Sequence, residues 1–261
     1  MDGATPSHIA RAPTAILVSL LVLAGAAWAV LVWQSAGMDT ADMGHVEMLT
    51  TMDMRAALFL AIWAAMMVAI MFPTAAPMIL TFARVQAGRR ERGKPVVPTS
   101  IFTGTYLALW VTFGGLAYGA ALGAQELAEE SMWFMDNMAR IGAGVLMAAG
   151  AYQLTPLKNI CLSKCRSPLV FILGSWRDGY GGAVRMGLEH GFYCIGCCWL
   201  FFLIIFPLGM MNIAVLAAIT VLIFAEKSLP VGHEARVAAA ALLIAYGALV
   251  VFVPDALPTM T

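Results

Sequence analysis

Apolar residues occur in long runs along most of the chain, and short polar segments separate one run from the next. A helix needs about 20 mostly apolar residues to cross the hydrocarbon core of a bilayer. Seven runs reach or approach that length: Pro13–Trp33, Ala56–Phe82, Ile101–Ala124, Ala139–Leu157, Ala183–Leu208, Asn212–Ala225 and Val237–Val253. The pattern predicts an all-α, polytopic membrane protein with seven transmembrane helices.

Three segments are expected to depart from regular membrane-spanning helices. Pro73 and Pro77 lie in the second run, and proline removes a backbone donor and clashes with the preceding turn, so a kink or break is expected there. The run Pro168–Gly174 is too short to cross and is expected to be interfacial or re-entrant. The basic segment Arg84–Lys94 is expected to be a flexible linker.

The lysines and arginines predict the orientation. With the N-terminus in the cytoplasm, thirteen of the fifteen lie on the cytoplasmic side, and Arg55 and Arg140 lie outside. This asymmetry follows the positive-inside rule and places the C-terminus outside. Arg11 alone precedes the first run, and no clear small-x-small cleavage pattern follows it, so we expect a retained helix rather than a cleaved signal peptide.

The composition agrees with a membrane protein. The chain is 61% hydrophobic and 11% charged, whereas a soluble domain has about 45–50% apolar and about 25% charged residues. The formal net charge is zero, so nothing indicates binding to nucleic acid.

The fifth apolar run carries an unusual set of polar side chains. Met186, His190, Cys194 and Cys197 recur at helical spacing, and Cys198 continues the row from Cys194. Ionisable groups inside a membrane are costly and usually functional. Thiols and imidazole suit Cu(I), zinc or another soft metal better than Mg or Ca. We therefore predict a metal site on this helix.

One ion cannot bind the whole row, which is about 16 Å long at 1.5 Å per residue. Only neighbouring members can share an ion, so another helix must supply further ligands. Met67 and Met71 of the second run lie four residues apart and are the first candidates. Each of these methionines would also suit ordinary helix packing.

Two more cysteines precede this helix on the predicted cytoplasmic side. Cys161 and Cys165 have cationic neighbours, which lower a thiol pKa and favour the thiolate. Stable disulfides are rare in that compartment, so a transfer site or second metal site is expected. On the fifth helix, Glu189 is either a proton acceptor or the ion-pair partner of Arg185.

The first outer loop is rich in thioethers. Met43, His45, Met48 and Met52 lie among acidic residues, and thioethers bind Cu(I), so metal capture outside the membrane is one interpretation. The other is that the methionines are adaptable packing residues.

The chain also resembles a known family in several motifs. These are Gly150–Lys158, Cys161-Leu162, Cys165–Leu169, Trp176–Gly179, His190–Trp199, Gly209–Asn212 and Glu226-Lys227, together with the second-helix residues Trp63, Met66, Met67, Met71, Pro73 and Pro77. They closely resemble a bacterial family of predicted metal-binding integral membrane proteins, known as domain of unknown function 2182, some members of which are labelled copper chaperones. The resemblance implies copper as the metal and the bacterial cytoplasmic membrane as the location.

The resemblance extends from about Ala56 to the C-terminus. We therefore expect two parts, residues 1–55 with the first helix and outer loop, and residues 56–261 as a six-helix metal-binding domain. Expected partners are a metal ion, the lipid bilayer, a copper-donor or copper-acceptor protein and further copies of the chain.

Several functions remain open at this point. The first is a copper-binding protein that captures, holds or passes on Cu(I), which is more consistent with the residues than an enzyme. The second is a membrane thiol-disulfide oxidoreductase that uses Cys194 and Cys197 with Cys161 and Cys165. The third is a metal-dependent membrane enzyme with Glu189 as general base. A fourth is an assembly subunit in which the polar cluster only joins helices.

Overall fold

The structure, a computed structural model, describes residues 7–39 and 56–258, and within these residues the chain is helical with no strand. The helices are α1 (Ser7–Asp39), α2 (Ala56–Glu91), α3 (Thr99–Glu130), α4 (Met132–Asp136), α5 (Met138–Gln153), α6 (Pro156–Arg166), α7 (Pro168–Ser175), α8 (Gly179–Leu203), α9 (Ile205–Leu208), α10 (Ile213–Ser228) and α11 (Gly232–Phe252), followed by a 3₁₀ turn at Pro254–Ala256. The predicted all-α class is confirmed for this part of the chain.

The seven predicted runs are largely helical, but the fourth crosses a turn at Leu154-Thr155 and the fifth extends from α8 into α9. Five helical segments are long and apolar enough to cross a bilayer: Pro13–Ala36, Ala56–Glu91, Thr99–Glu130, Gly179–Leu208 and Gly232–Phe252. The part of the chain that the structure describes therefore has the build of an integral membrane protein.

Two of the predicted spans, α5 and α10, are shorter than these five segments. Each has 16 residues and is about 24 Å long, against about 30 Å for the hydrocarbon core. Helix α5 ends at Gln153 because Pro156 begins the next helix, and α10 starts where the Asn212 side chain accepts a hydrogen bond from the Val215 amide at 3.1 Å. A local stop signal thus shortens the predicted fourth span, whereas α10 begins one residue after its predicted start and ends three residues beyond its predicted end.

Helix α2 does not break at its prolines. It continues through Pro73 and Pro77 to Glu91, so Arg84, Arg89 and most of the predicted linker are helical. Membrane helices tolerate proline where neighbouring helices and side chains support the freed backbone groups. The segment around these prolines is largely buried against such neighbours.

The core forms around α8, which packs between α3 and α6. Helix α2 packs against α1, α3 and α10, while α5 and α11 pair beside this group. Close approach of α8 to α3 depends on Gly187, where a Cβ would lie 2.7 Å from the Phe102 carbonyl oxygen. This packing puts one face of α8 in the centre of the molecule.

Candidate metal centre

Three thiols from two helices converge in the core. Cys194 and Cys197 lie one turn apart on the buried face of α8, and Cys165 approaches them from α6. Their sulfur atoms all lie within 4.8 Å of one another, and the Cys165 and Cys197 sulfurs are 4.0 Å apart. We call this group the thiol cluster.

The spacing of the thiol cluster suits one bound ion. Sulfurs bound at about 2.3 Å to a common ion lie about 4.0 Å apart in a trigonal arrangement and about 4.6 Å apart when they are opposite. The Cys165–Cys197 separation of 4.0 Å matches the trigonal value, and no separation exceeds 4.8 Å, so small side-chain adjustments would let the cluster hold a metal. The sequence had assigned Cys165 to a separate cytoplasmic site, and the structure brings it to the same place as Cys194 and Cys197.

Cys194 is the most highly connected member of the thiol cluster. Its sulfur lies 3.0 Å from the Tyr106 hydroxyl, and it accepts a hydrogen bond from the Lys227 ammonium at 3.0 Å. The Met71 sulfur lies 4.0 Å from it, so the predicted approach of α2 to the thiols does occur. Residues from four helices therefore meet at this one sulfur atom.

Lys227 is the feature that sequence reasoning missed. It lies near the end of α10 and is 8% exposed, whereas the sequence marked it only as an orientation signal and as part of the Glu226-Lys227 motif. A buried cation needs an anionic partner or strong acceptors, because isolated charge in a low-dielectric interior is costly. Its position directly after Glu226, at the end of an apolar run, was the sequence feature that could have indicated a buried charge.

Cys198 belongs to a different part of the site. Its sulfur lies 3.2 Å from that of Cys197, which is closer than two sulfurs bound to one ion at about 2.3 Å would normally lie. Cys197 also donates to the Cys194 carbonyl oxygen at 3.2 Å. Cys198 therefore lies beside Cys197 and is not a member of the thiol cluster.

Cys161 lies at the edge of the cluster, one turn before Cys165. Its side chain packs against Gly196, where a Cβ would lie 2.7 Å from the Cys161 sulfur. Burial raises the pKa of the Cys161 thiol, so the lowering expected from nearby cations does not occur. This thiol is partly exposed and lies beside the buried cluster.

His190 lies one turn before Cys194 but outside the group of sulfurs. Its ring is buried against Tyr106, with ring centroids 5.1 Å apart, and Phe102 stacks at 5.9 Å. Neither ring nitrogen has a hydrogen-bond partner among the described residues. Leaving such groups unpaired costs about 1–3 kcal/mol each, so the imidazole is available to a ligand.

The remaining predicted residues have simpler positions. Met67 and Met186 are fully buried in the hydrophobic core. Arg185 donates to Glu189 at 3.2 Å on the exposed side of α8, which is the ion pair that their spacing predicts. Met43, His45, Met48 and Met52 lie outside the described residues.

Most of the chain is similar to one known protein family. A model of the PpoB2 family, described as copper chaperone, matches residues 60–250. The chain belongs to this copper chaperone family. No curated protein and no solved structure matches it.

The matched region of the copper chaperone family includes the whole thiol cluster and its surroundings. Met71, Tyr106, Cys165, Cys194 and Lys227 all fall within residues 60–250. The methionine-rich outer loop lies outside the match, so the family model says nothing about capture at that loop.

A second buried polar group lies on the same two helices as Cys165 and Lys227. The Lys158 ammonium is 2.7 Å from a Glu226 carboxylate oxygen, and both side chains are almost completely buried. Lys158 also donates to the Gln153 side-chain oxygen and lies 4.4 Å from the Phe201 ring centre. This ion pair joins α6, which carries Cys165, to α10, which carries Lys227.

Proposed function

We propose that this protein binds Cu(I) within the membrane and passes it to or from a partner protein. The observation that carries the proposal is the convergence of Cys165, Cys194 and Cys197 in a buried cluster next to a buried ammonium. Membership of the copper chaperone family supports copper as the cargo.

The chemistry of the cluster favours Cu(I) over zinc. Structural zinc sites almost always have four ligands, whereas the described residues bring three thiols together. Thiolates and thioethers select Cu(I), and Met71 adds a thioether at 4.0 Å from Cys194. His190, with its unpartnered ring nitrogens, is a further proposed ligand on the path along α8.

Charge balance supports the same proposal. Cu(I) bound to the three thiolates of the cluster carries two net negative charges, which are costly to bury alone. The Lys227 ammonium lies 3.0 Å from the Cys194 sulfur and would offset one of them.

The proposal includes a route for the metal. We propose seven spans in the bacterial cytoplasmic membrane, with the N-terminus inside, the C-terminus outside and the cluster in the cytoplasmic half of the bilayer. Cys161 is partly exposed and lies beside the cluster, which suits a thiol that exchanges the ion with a cytoplasmic partner. Capture by Met43, His45, Met48 and Met52 outside the membrane stays a prediction.

The direct test is a Cu(I) titration of detergent-purified, fully reduced protein without oxygen, against a coloured Cu(I) chelator. We expect one tightly bound ion, with an X-ray absorption spectrum of two or three sulfur neighbours at about 2.3 Å. Cys165→Ser should remove one sulfur neighbour and weaken binding about 10-fold or more, because a trigonal set loses a member.

Cys161→Ser is the matched control for Cys165→Ser. It removes a thiol from the same helix but not from the cluster, so Cu(I) affinity should change less than about threefold. Reduced protein that takes up no Cu(I) would contradict the proposed function.

A second candidate function rests on one distance. The Cys165 and Cys197 sulfurs are 4.0 Å apart, so a small rotation would allow a disulfide between α6 and α8. Such a bond would suit a membrane thiol-disulfide oxidoreductase, which releases two electrons and two protons to an oxidant such as a quinone.

Thiol counting separates the two functions. For a redox protein, mild oxidation with a soluble quinone should lower the free thiols from five to three, and dithiothreitol should restore five. Copper handling predicts instead that reduced thiols persist until strong oxidants are used, and that Cys197→Ser loses Cu(I) without altering quinone reactivity.

A further inference from the structure

A lateral groove opens on the opposite side of α2 from the thiols. It has a volume of about 530 Å³ and lies between α1, α2, α7 and α10. Its lining includes Leu17, Leu21, Pro73, Pro77, Arg84 and Phe224. The volume is within the range of about 300–1,000 Å³ that small-molecule sites occupy.

The groove has one charged end. Arg84 is exposed, and none of the described residues forms an ion pair or hydrogen bond with its guanidinium. Nearby, Arg89 of α2 pairs with Asp178 at 2.7 Å, and Arg92, just after α2, donates to the Gly88 carbonyl. Arg90 is also exposed, but it lies outside the groove lining. Arg84 is thus a cation without a partner among the described residues, and it lies at one end of an apolar groove.

The depth of Arg84 corresponds to the headgroup layer. From Ala56, where α2 begins on the predicted outer side, Arg84 is 28 residues away, or about 42 Å. A bilayer with its headgroups is about 40–45 Å thick. The groove then continues about 16 Å along α2, from Arg84 back to Pro73 and into the hydrocarbon layer.

The other helices place the groove at the same level. Leu17 and Leu21 belong to the start of α1, and Phe224 belongs to the end of α10, both on the predicted cytoplasmic side. Pro168 begins the short helix α7, which is too short to cross. The groove, which is lined by these four helices, therefore lies at the level of the predicted cytoplasmic leaflet, where anionic lipids are enriched.

We propose that this groove is a binding site for one anionic phospholipid of the cytoplasmic leaflet. The phosphate contacts Arg84, and an acyl chain lies along Leu21, Pro77 and Phe224. The occupant follows from the combination of an unpaired cation at headgroup depth with an apolar wall below it. This site does not depend on the metal, and its assignment to the cytoplasmic leaflet rests on the orientation given under the proposed function.

The test is native mass spectrometry of the full-length protein in neutral detergent. The protein is incubated with equal amounts of phosphatidylglycerol and phosphatidylcholine that have identical acyl chains. Wild-type protein should retain one phosphatidylglycerol with a clear preference over phosphatidylcholine. Arg84→Gln should lower that preference about fivefold, and Arg84→Lys should keep most of it.

Two further variants make the result decisive. Arg90→Gln removes an exposed charge from the same helix outside the groove lining and should behave like wild type. Leu21→Trp narrows the groove from its exposed side and should reduce retention of both lipids. Equal losses in Arg84→Gln and Arg90→Gln, or equal retention of the two lipids by wild type, would overturn the proposal.

Discussion

Cys194→Ser is expected to abolish high-affinity Cu(I) binding. The Cys194 sulfur belongs to the thiol cluster and also contacts Tyr106, Met71 and Lys227, so its loss removes a ligand and the acceptor of the Lys227 ammonium together. Loss of residues that only orient metal ligands costs about 10–100-fold in affinity, and loss of the ligand itself should cost more than about 100-fold. A chelator competition with reduced protein measures the change.

The control for Cys194→Ser is Cys198→Ser, which removes a buried thiol from the same helix. Because the Cys198 sulfur lies only 3.2 Å from that of Cys197 and outside the cluster, its loss should change affinity less than about fivefold. Thermal stability of both apo variants should be compared first, so that loss of metal is not a loss of fold. Wild-type affinity in Cys194→Ser would show that the copper ion binds elsewhere.

Glu226→Leu is expected to destabilise the protein by about 3–5 kcal/mol, because it leaves the Lys158 ammonium buried without its anionic partner. The double variant Lys158→Met with Glu226→Leu should recover most of that loss, since a well-packed apolar pair avoids the desolvation cost. Unfolding of the detergent-solubilised protein with increasing SDS provides the measurement.

The exposed pair on α8 gives a matched comparison. Glu189→Leu breaks the contact with Arg185. The Glu189 side chain is 31% exposed and the Arg185 side chain 61%, so the loss of stability should be no more than about 1 kcal/mol. Equal destabilisation by Glu189→Leu and Glu226→Leu would mean that burial of the Lys158 pair has no energetic importance. Failure of the double variant to recover stability would indicate that the pair also sets the register of α6 and α10.

The fold was largely predictable because apolar runs of helical length dominate the chain. Prediction was weaker where a local signal competed with hydropathy, as at the end of α5, which stops at Gln153 although the predicted run continues to Leu157. The start of α10 lies within one residue of its prediction, because Asn212 caps the helix. The continuity of α2 through Pro77 was not predictable from propensity, because it depends on packing by neighbouring helices.

The site was predictable only as far as helical periodicity extends. Spacing along one helix placed Cys194 and Cys197 together, and the need for a second helix led to Met71. The contacts of Cys194 with Lys227 and of Lys158 with Glu226 join residues 33 and 68 positions apart. Such contacts depend on which helices are neighbours and on their rotation, and one sequence contains no direct record of either.

The adjacent residues Glu226 and Lys227 have a consequence for how α10 can dock. They point about 100° apart around the helix axis, the carboxylate towards Lys158 and the ammonium towards Cys194. If the two residues were exchanged, like charges would face each other at Lys158 and a carboxylate would face the thiols. A turn of α10 by one residue would cause one of these mispairings, with Lys227 facing Lys158 in one direction and Glu226 facing the thiols in the other. The pair therefore favours one rotation of α10 about its axis and disfavours other rotations that would bury similar apolar surface.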